Sequence, residues 1–336
     1  MPESSPMPTK ASSPQTAPDP LEAAVVDTGL DLVVCCYTRA RLHTMLPALS
    51  RAVEQLDPTD EVLVVVDHNE DLRTELLDVV PDRVRVIANE RERGLSGARN
   101  TGLHAARAGI VVFLDDDATL QGDGLEVIRE RFTAPDIVAV GGGVEPAWHA
   151  GTQPAWFPEE FGWVVGCDYR GLPADGADIR NPIGAAMAVR RRPLVDIGGF
   201  SRHLGRRGTF PAGCEETLMG IALRERHPGA RLIRDTRFSV RHEVTPERTT
   251  LRYFVRRCYQ EGRSKATLSA LTSADLALAS ERDYTRRILT SALWRHRRTP
   301  ARAAMVVVGF VTTVAGFAVG TIQNQLAPRA RRERER

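Results

Sequence analysis

Short apolar runs alternate along the chain with stretches in which apolar residues recur every three or four positions. Residues 31–36 (DLVVCC) are a continuous apolar run, the pattern of a strand buried on both faces. Residues 41–56 follow with Leu42, Met45, Leu46, Leu49, Val53 and Leu56 at helical spacing. Residues 61–67 (EVLVVVD) predict a second buried strand ending in Asp67, and 83–88 (RVRVIA) a third. A helix is predicted over 95–107, and 110–114 (IVVFL) is a fourth strand that ends at three aspartates. Residues 125–132 predict a helix and 137–141 a strand. Strands alternating with helices imply an α/β fold with a doubly wound, mainly parallel sheet. Ligands of such sheets bind beyond the carboxyl ends of the strands. Tyr37, Thr38, Arg39, Asp67 and Asp115–Asp117 all fall at such ends.

The second half is less regular. Residues 146–182 are rich in Trp, Pro, Gly and Asp, as expected of long loops lining a site. Strands are predicted over 185–190 and over 231–240, the latter leading to His242. Residues 246–265 have helical spacing, with Leu251, Phe254, Val255, Cys258 and Tyr259 on one face and Arg252, Arg256, Arg257, Arg263 and Lys265 around the rest. Trp148, Trp156, Phe157 and Trp163 are candidates for stacking on a ligand ring or a lipid, or for ordinary core.

From Ala303 to Ile322 there is no charged residue, and arginines flank the run on both sides. Its length is that of a bilayer-spanning helix, which this pattern predicts over a buried core helix. Gly316 and Gly320 stand four apart, a spacing that lets helices pack closely. Five organisational segments result: a disordered tail over 1–28, a main domain over 29–245, a basic helical region over 246–300, a transmembrane helix over 301–323 and a basic tail over 324–336.

The formal net charge is only +2, so no global basic field points to nucleic acid. Cys35, Cys36, Cys167, Cys214 and Cys258 form no C-x-x-C pair. They fit a reducing compartment better than a disulfide framework or a zinc site. No N-terminal signal peptide is visible.

The chemistry concentrates in a few motifs. In VVFLDDDATL (111–120) three carboxylates follow a buried strand and repel one another unless a cation relieves them. Carboxylate oxygens suit Mg²⁺ or Mn²⁺, which can bridge two phosphates. An acidic turn capping the next helix is the plainer alternative. In Gly94-Leu-Ser-Gly-Ala-Arg-Asn-Thr-Gly102 a glycine-rich turn opens a helix whose N-terminus attracts anions, with Arg99 able to pair with a phosphate.

VVCCYTRA (33–40), VLVVVD (62–67), RGLSGARNTGL (93–103), VVFLDDDA (111–118) and GCEETLMGIALR (213–224) occur in this order. Together they resemble the family 2 glycosyltransferases, over residues 30–245. The resemblance implies a GT-A-like, Rossmann-type fold and inverting transfer from a nucleotide-sugar, with a UDP-sugar the expected donor. It implies that Tyr37, Thr38 and Arg39 contact the nucleotide and that Asp67 contacts the base. Arg99 and Asn100 would lie near the ribose and diphosphate. Asp115 and Asp117 match the D-x-D positions, with Asp117 on Mn²⁺ or Mg²⁺ and Asp115 nearer the ribose or sugar; Asp116 lies between them. Glu215-Glu216 match an acidic pair usually read Glu-Asp, whose second member is the catalytic base. Glutamate replaces aspartate at 216, which leaves open which of the two acts. His242 is a candidate to complete the metal shell. The acceptor stays unidentified.

A nucleotidyltransferase would need a glycine-rich, basic loop after the first strand, whereas CCYTRARLH has no glycine. A non-catalytic membrane scaffold would be expected to have lost acidic residues that are all present. A nucleotide-sugar donor is cytosolic, so the expected location is the cytoplasmic membrane with the catalytic domain in the cytoplasm.

Overall fold

The computed structural model describes residues 28–202, 204, 213–272 and 285–334. The expected N-terminal tail therefore lies outside the described residues, save for Thr28. An eight-stranded mixed sheet runs in the order β3-β2-β1-β4-β7-β6-β8-β5. The strands are β1 (Leu30–Cys36), β2 (Glu61–Val66), β3 (Val84–Ala88), β4 (Ile110–Asp115), β5 (Ala118–Gln121), β6 (Ile137–Trp148), β7 (Ala186–Arg190) and β8 (Arg231–Val244). β3, β2, β1 and β4 are mutually parallel. β7 then enters antiparallel between β4 and β6, and β6 pairs in parallel with β8.

Alternation explains why the apolar runs of β1 and β2 are continuous. Leu30, Leu32, Val34, Val62 and Val64 pack into one core, whereas Val33, Leu63 and Val65 pack into another on the opposite face. Helices α1 (Leu42–Val53), α2 (Glu70–Val79) and α4 (Gly124–Arg131) cover the first face through Met45, Leu49, Leu72, Leu76, Leu125 and Ile128. Helices α3 (Leu95–Ala105), α5 (Arg191–Asp196) and α6 (Glu215–Arg226) cover the second through Ala98, Leu103, Leu194, Met219 and Leu223. Parallel register sets Cys35 beside Asp115 and Cys36 beside Val66. The carboxyl ends of β1, β2 and β4 therefore open on one place.

A basic helix, α7 (Leu251–Leu271), follows the sheet; Phe254 and Cys258 face inward, while Leu251 and Val255 are exposed rather than packed. Short helix α8 (Thr290–Arg295) leads to α9 (Pro300–Arg334), which takes in most of the expected basic tail. Pro300–Leu326 is long and apolar enough to cross a membrane. One stripe of α9 is nevertheless committed to the rest of the chain. A β-carbon on Gly316 would lie 2.0 Å from the Tyr259 carbonyl oxygen, and one on Gly262 would lie 2.0 Å from that of Thr313. The close approach that glycine permits is used here between α9 and α7 of the same chain. The opposite face leaves Val307, Val308, Val311, Val314 and Ile322 exposed.

Candidate active site

A cleft of about 1210 Å³ opens at the strand ends, bordered by Tyr37, Arg41, Asp67, Arg99, Asp115, Asp116, Glu215 and Glu216. The short strand β5 begins right after Asp117 and pairs antiparallel with β8, aligning Ala118 with His242. His242 points inward with Phe238, Val240 and Val244, two residues apart along β8. It thus lies within the strand, two residues before its end. Its Nε2 lies 3.0 Å from Asp117 Oδ1 and 3.9 Å from Asp115 Oδ2.

Ligand atoms of Asp115, Asp117 and His242 all lie within 4.8 Å of one another. Asp117 Oδ1 is buried and accepts no hydrogen bond of good geometry. Two carboxylates and one imidazole suit a divalent cation such as Mn²⁺, so the donor set fits a metal. Burial works against a charged imidazole, yet the Asp117 carboxylate and the Cys167 thiol push His242 up to about 10. Burial likewise opposes charge on Asp117, but His242, Arg248 and Arg41 hold its carboxyl far below the ordinary range. Asp117 Oδ2 lies 3.2 Å from both Arg41 and Arg248. Asp116 is hydrogen-bonded to Arg41. Its own burial and the adjacent Asp117 outweigh that arginine and raise it to about 6.

A second group surrounds the buried Arg99. Its guanidinium lies 2.9 Å from Glu216, 3.7 Å from Glu215 and 3.5 Å from Asp115, and it donates to the Gly184 carbonyl at 3.2 Å. A β-carbon on Gly184 would meet Glu216 Oε1 at 2.2 Å, so only glycine leaves room for this cluster. Glu215 and Glu216 form the first turn of α6, where the helix N-terminus favours negative charge. Asp67 accepts from the Gly94 amide at 2.9 Å and from Asn89 at 2.7 Å, which fixes it at the cleft wall.

Two residues expected at the site face elsewhere. Asn100 bonds the Phe200 backbone in both directions at 2.8 Å and is consumed in holding that turn. Arg39 is 72% exposed and pairs with Glu75 at 2.7 Å. A 3-10 turn over Arg39–Arg41, capped by Thr38, sends Arg39 outward and Arg41 to the aspartates. Trp148, Trp156 and Phe157 pack together, with Trp156 and Phe157 also against Phe254; Trp163 borders the cleft.

The glycosyl transferase family 2 model matches residues 31–198. Glucosyl-dolichyl phosphate glucuronosyltransferase of Haloferax volcanii is 32% identical over 245 residues, covering 72% of this chain and 78% of that one. The chain belongs to glycosyltransferase family 2. Succinoglycan biosynthesis protein ExoO of Rhizobium meliloti is 42% identical to this family member over 103 residues, 30% of this chain and 29% of that one. In fold the transferase is similar to mannosyltransferase PcManGT from Pyrobaculum calidifontis, solved with GDP-Man and Mn2+. That likeness has a TM-score of 0.54 at 17% identity and covers 92% of this chain and 90% of the other.

The sequence reading missed Arg41, Arg248 and Gly184. Arg41 had a signal, since it stands two residues after Arg39, directly beyond the motif over 33–40. Arg248 lies in a 3-10 turn after β8, and nothing local marks it as a partner of Asp117.

Proposed function

We propose that this transferase moves a sugar from a nucleotide-sugar to an acceptor hydroxyl by metal-assisted, inverting displacement. The observation that carries the reading is the convergence of the buried Asp117 and His242 on Asp115, which borders the same cleft as Glu216. Asp115, Asp117 and His242 would hold Mn²⁺ or Mg²⁺, which neutralises a departing diphosphate. Tyr37 and Asp67 border the nucleotide end, with a UDP-sugar the expected donor. Asp116 and Arg41 brace the metal-binding aspartates rather than touching the sugar.

Glu216 serves as the base. Its side chain is 16% exposed against 4% for Glu215, so an acceptor hydroxyl can reach it. Glu216 takes the hydroxyl proton as the acceptor oxygen attacks the anomeric carbon. The bond to the diphosphate oxygen breaks and its electron pair leaves with the nucleoside diphosphate. One base acting in one displacement inverts the anomeric centre. Arg99 positions Glu216 and Asp115. Helix α9 holds the protein at the cytoplasmic membrane with the cleft on the cytoplasmic side.

Incubation with UDP-sugars should release UDP when Mn²⁺ or Mg²⁺ is present and not in excess EDTA. Undiminished release in EDTA would sink the metal-assisted reading.

A further inference from the structure

The cleft does not end at the glutamates. It continues past Cys214 to α7 and then to α9, where Phe310, Val314 and Phe317 border it. The two ends differ in charge. Carboxylates dominate the strand end, while Arg180, Arg257 and Lys265 border the α7 end. Arg257 and Lys265 pair with Glu261 at 2.7 and 3.5 Å, and both lie over the Trp163 ring, at 5.5 and 6.0 Å from its centroid. Burial opposes ionisation of Glu261, but Arg257 and Lys265 hold it down at about 2, so the pocket keeps a fixed carboxylate among its cations. A β-carbon on Gly213 would lie 3.2 Å from Arg257, which puts the cations two residues of backbone from Glu215.

The apolar side of this end is also unusual. Phe310 and Val314 border the cleft and are exposed, at 40% and 50%. They stand one helical turn apart, so the cleft opens onto the apolar outer face of α9. A water-soluble sugar or nucleotide would gain nothing from that wall. A molecule with an anionic head and a hydrocarbon chain matches both parts, its charge meeting the cations and its chain following the helix.

We propose that the α7 end of the cleft binds the phosphate of a lipid-linked acceptor, seated by Arg180, Arg257 and Lys265, with its hydrocarbon chain leaving along Phe310, Val314 and Phe317. This rests on the transferase reading, because it sets the acceptor sugar beside Glu216. It adds the acceptor's chemical class and route of entry.

The test uses the full chain in detergent micelles, with thermal shift and tryptophan fluorescence as readouts. Farnesyl phosphate should raise the melting temperature and perturb the fluorescence, since Trp163 borders the site. Farnesol should bind about tenfold more weakly, reflecting the lost charge-assisted contacts. Lys265→Gln should weaken farnesyl phosphate about tenfold, and Phe310→Ser, at an exposed position, should weaken it by a smaller factor. Farnesol binding as tightly as its phosphate would overturn the proposal, as would equal binding to wild type and both variants. Inorganic phosphate competing at equal concentration would also overturn it, by showing a site for soluble anions. UDP with Mn²⁺ serves as the control. If Lys265→Gln abolishes the UDP shift, the cations belong to the nucleotide and the proposal falls. If the wild type shows no UDP shift while farnesyl phosphate still binds, the transferase reading fails separately.

Discussion

Two groups of acidic side chains share one cleft and are neutralised by different means. Asp116 and Asp117 are buried against Arg41, Arg248 and His242, which come from three separate segments. Asp115, Glu215 and Glu216 share the single guanidinium of Arg99, and two of the three stay partly open. The first arrangement fixes geometry, because cations on several sides hold the buried Asp117 carboxylate ionised. The second leaves charge to be completed by whatever enters. In the proposed reaction the first group supplies the fixed metal ligand Asp117 and the second supplies the base, although all five residues are acids.

The largest expected effect falls on the open group. Glu216→Gln should lower sugar transfer about ten-thousand-fold, the upper range for general-base catalysis, with UDP binding intact by thermal shift. If Glu215→Gln gave that loss and Glu216→Gln did not, the exposure argument would be wrong. Asp117→Asn should lower transfer about a thousand-fold and remove the Mn²⁺-induced thermal shift. Arg99→Met would leave three carboxylates sharing no cation, and should cost about 3 kcal/mol in urea unfolding. Arg99→Lys should recover part of that stability.

A smaller effect concerns pH. Folding lowers Glu261 from its ordinary value of 4.5 to about 2. Its contribution is therefore complete above about pH 4.5 and is lost as pH falls through that window. Urea midpoints measured from pH 5 downward should fall for the wild type and less steeply for Glu261→Gln. The smallest effect is expected at Arg39, exposed and paired with Glu75. Arg39→Ala should change stability by less than about 1 kcal/mol and leave UDP binding unaltered. A large loss of UDP binding would return Arg39 to the site.

Much of this arrangement was legible because a strand buried on both faces writes an unbroken apolar run. That is how β1, β2 and β4 and the acids at their ends were found. Where burial is one-sided or interrupted, the signal weakens. β6 continues through Gly141-Gly142-Gly143 to Trp148, but three glycines hide the strand. β8 runs on through Arg241, His242 and Glu243, where polar residues alternate with buried ones. The partnership of His242 with Asp117 comes from sheet register across distant segments, which no local pattern records. Asn100 shows the reverse case: a motif residue close to the site in sequence whose amide bonds the Phe200 backbone. The glycines of α9 suggested packing between membrane helices, and Gly316 does permit close packing, but against α7.

That seam sets a length scale. Backbone touches backbone between α7 and α9, so the apolar helix is no flexible leash from which a catalytic head could swing. The distance from the outer face of α9 to Glu216 is fixed by the fold. With α9 in the membrane as proposed, an acceptor hydroxyl would be selected by how far it stands from the membrane surface, as a gauge selects by depth. Sugars set too far from a phosphate seated at the α7 end would then overshoot Glu216.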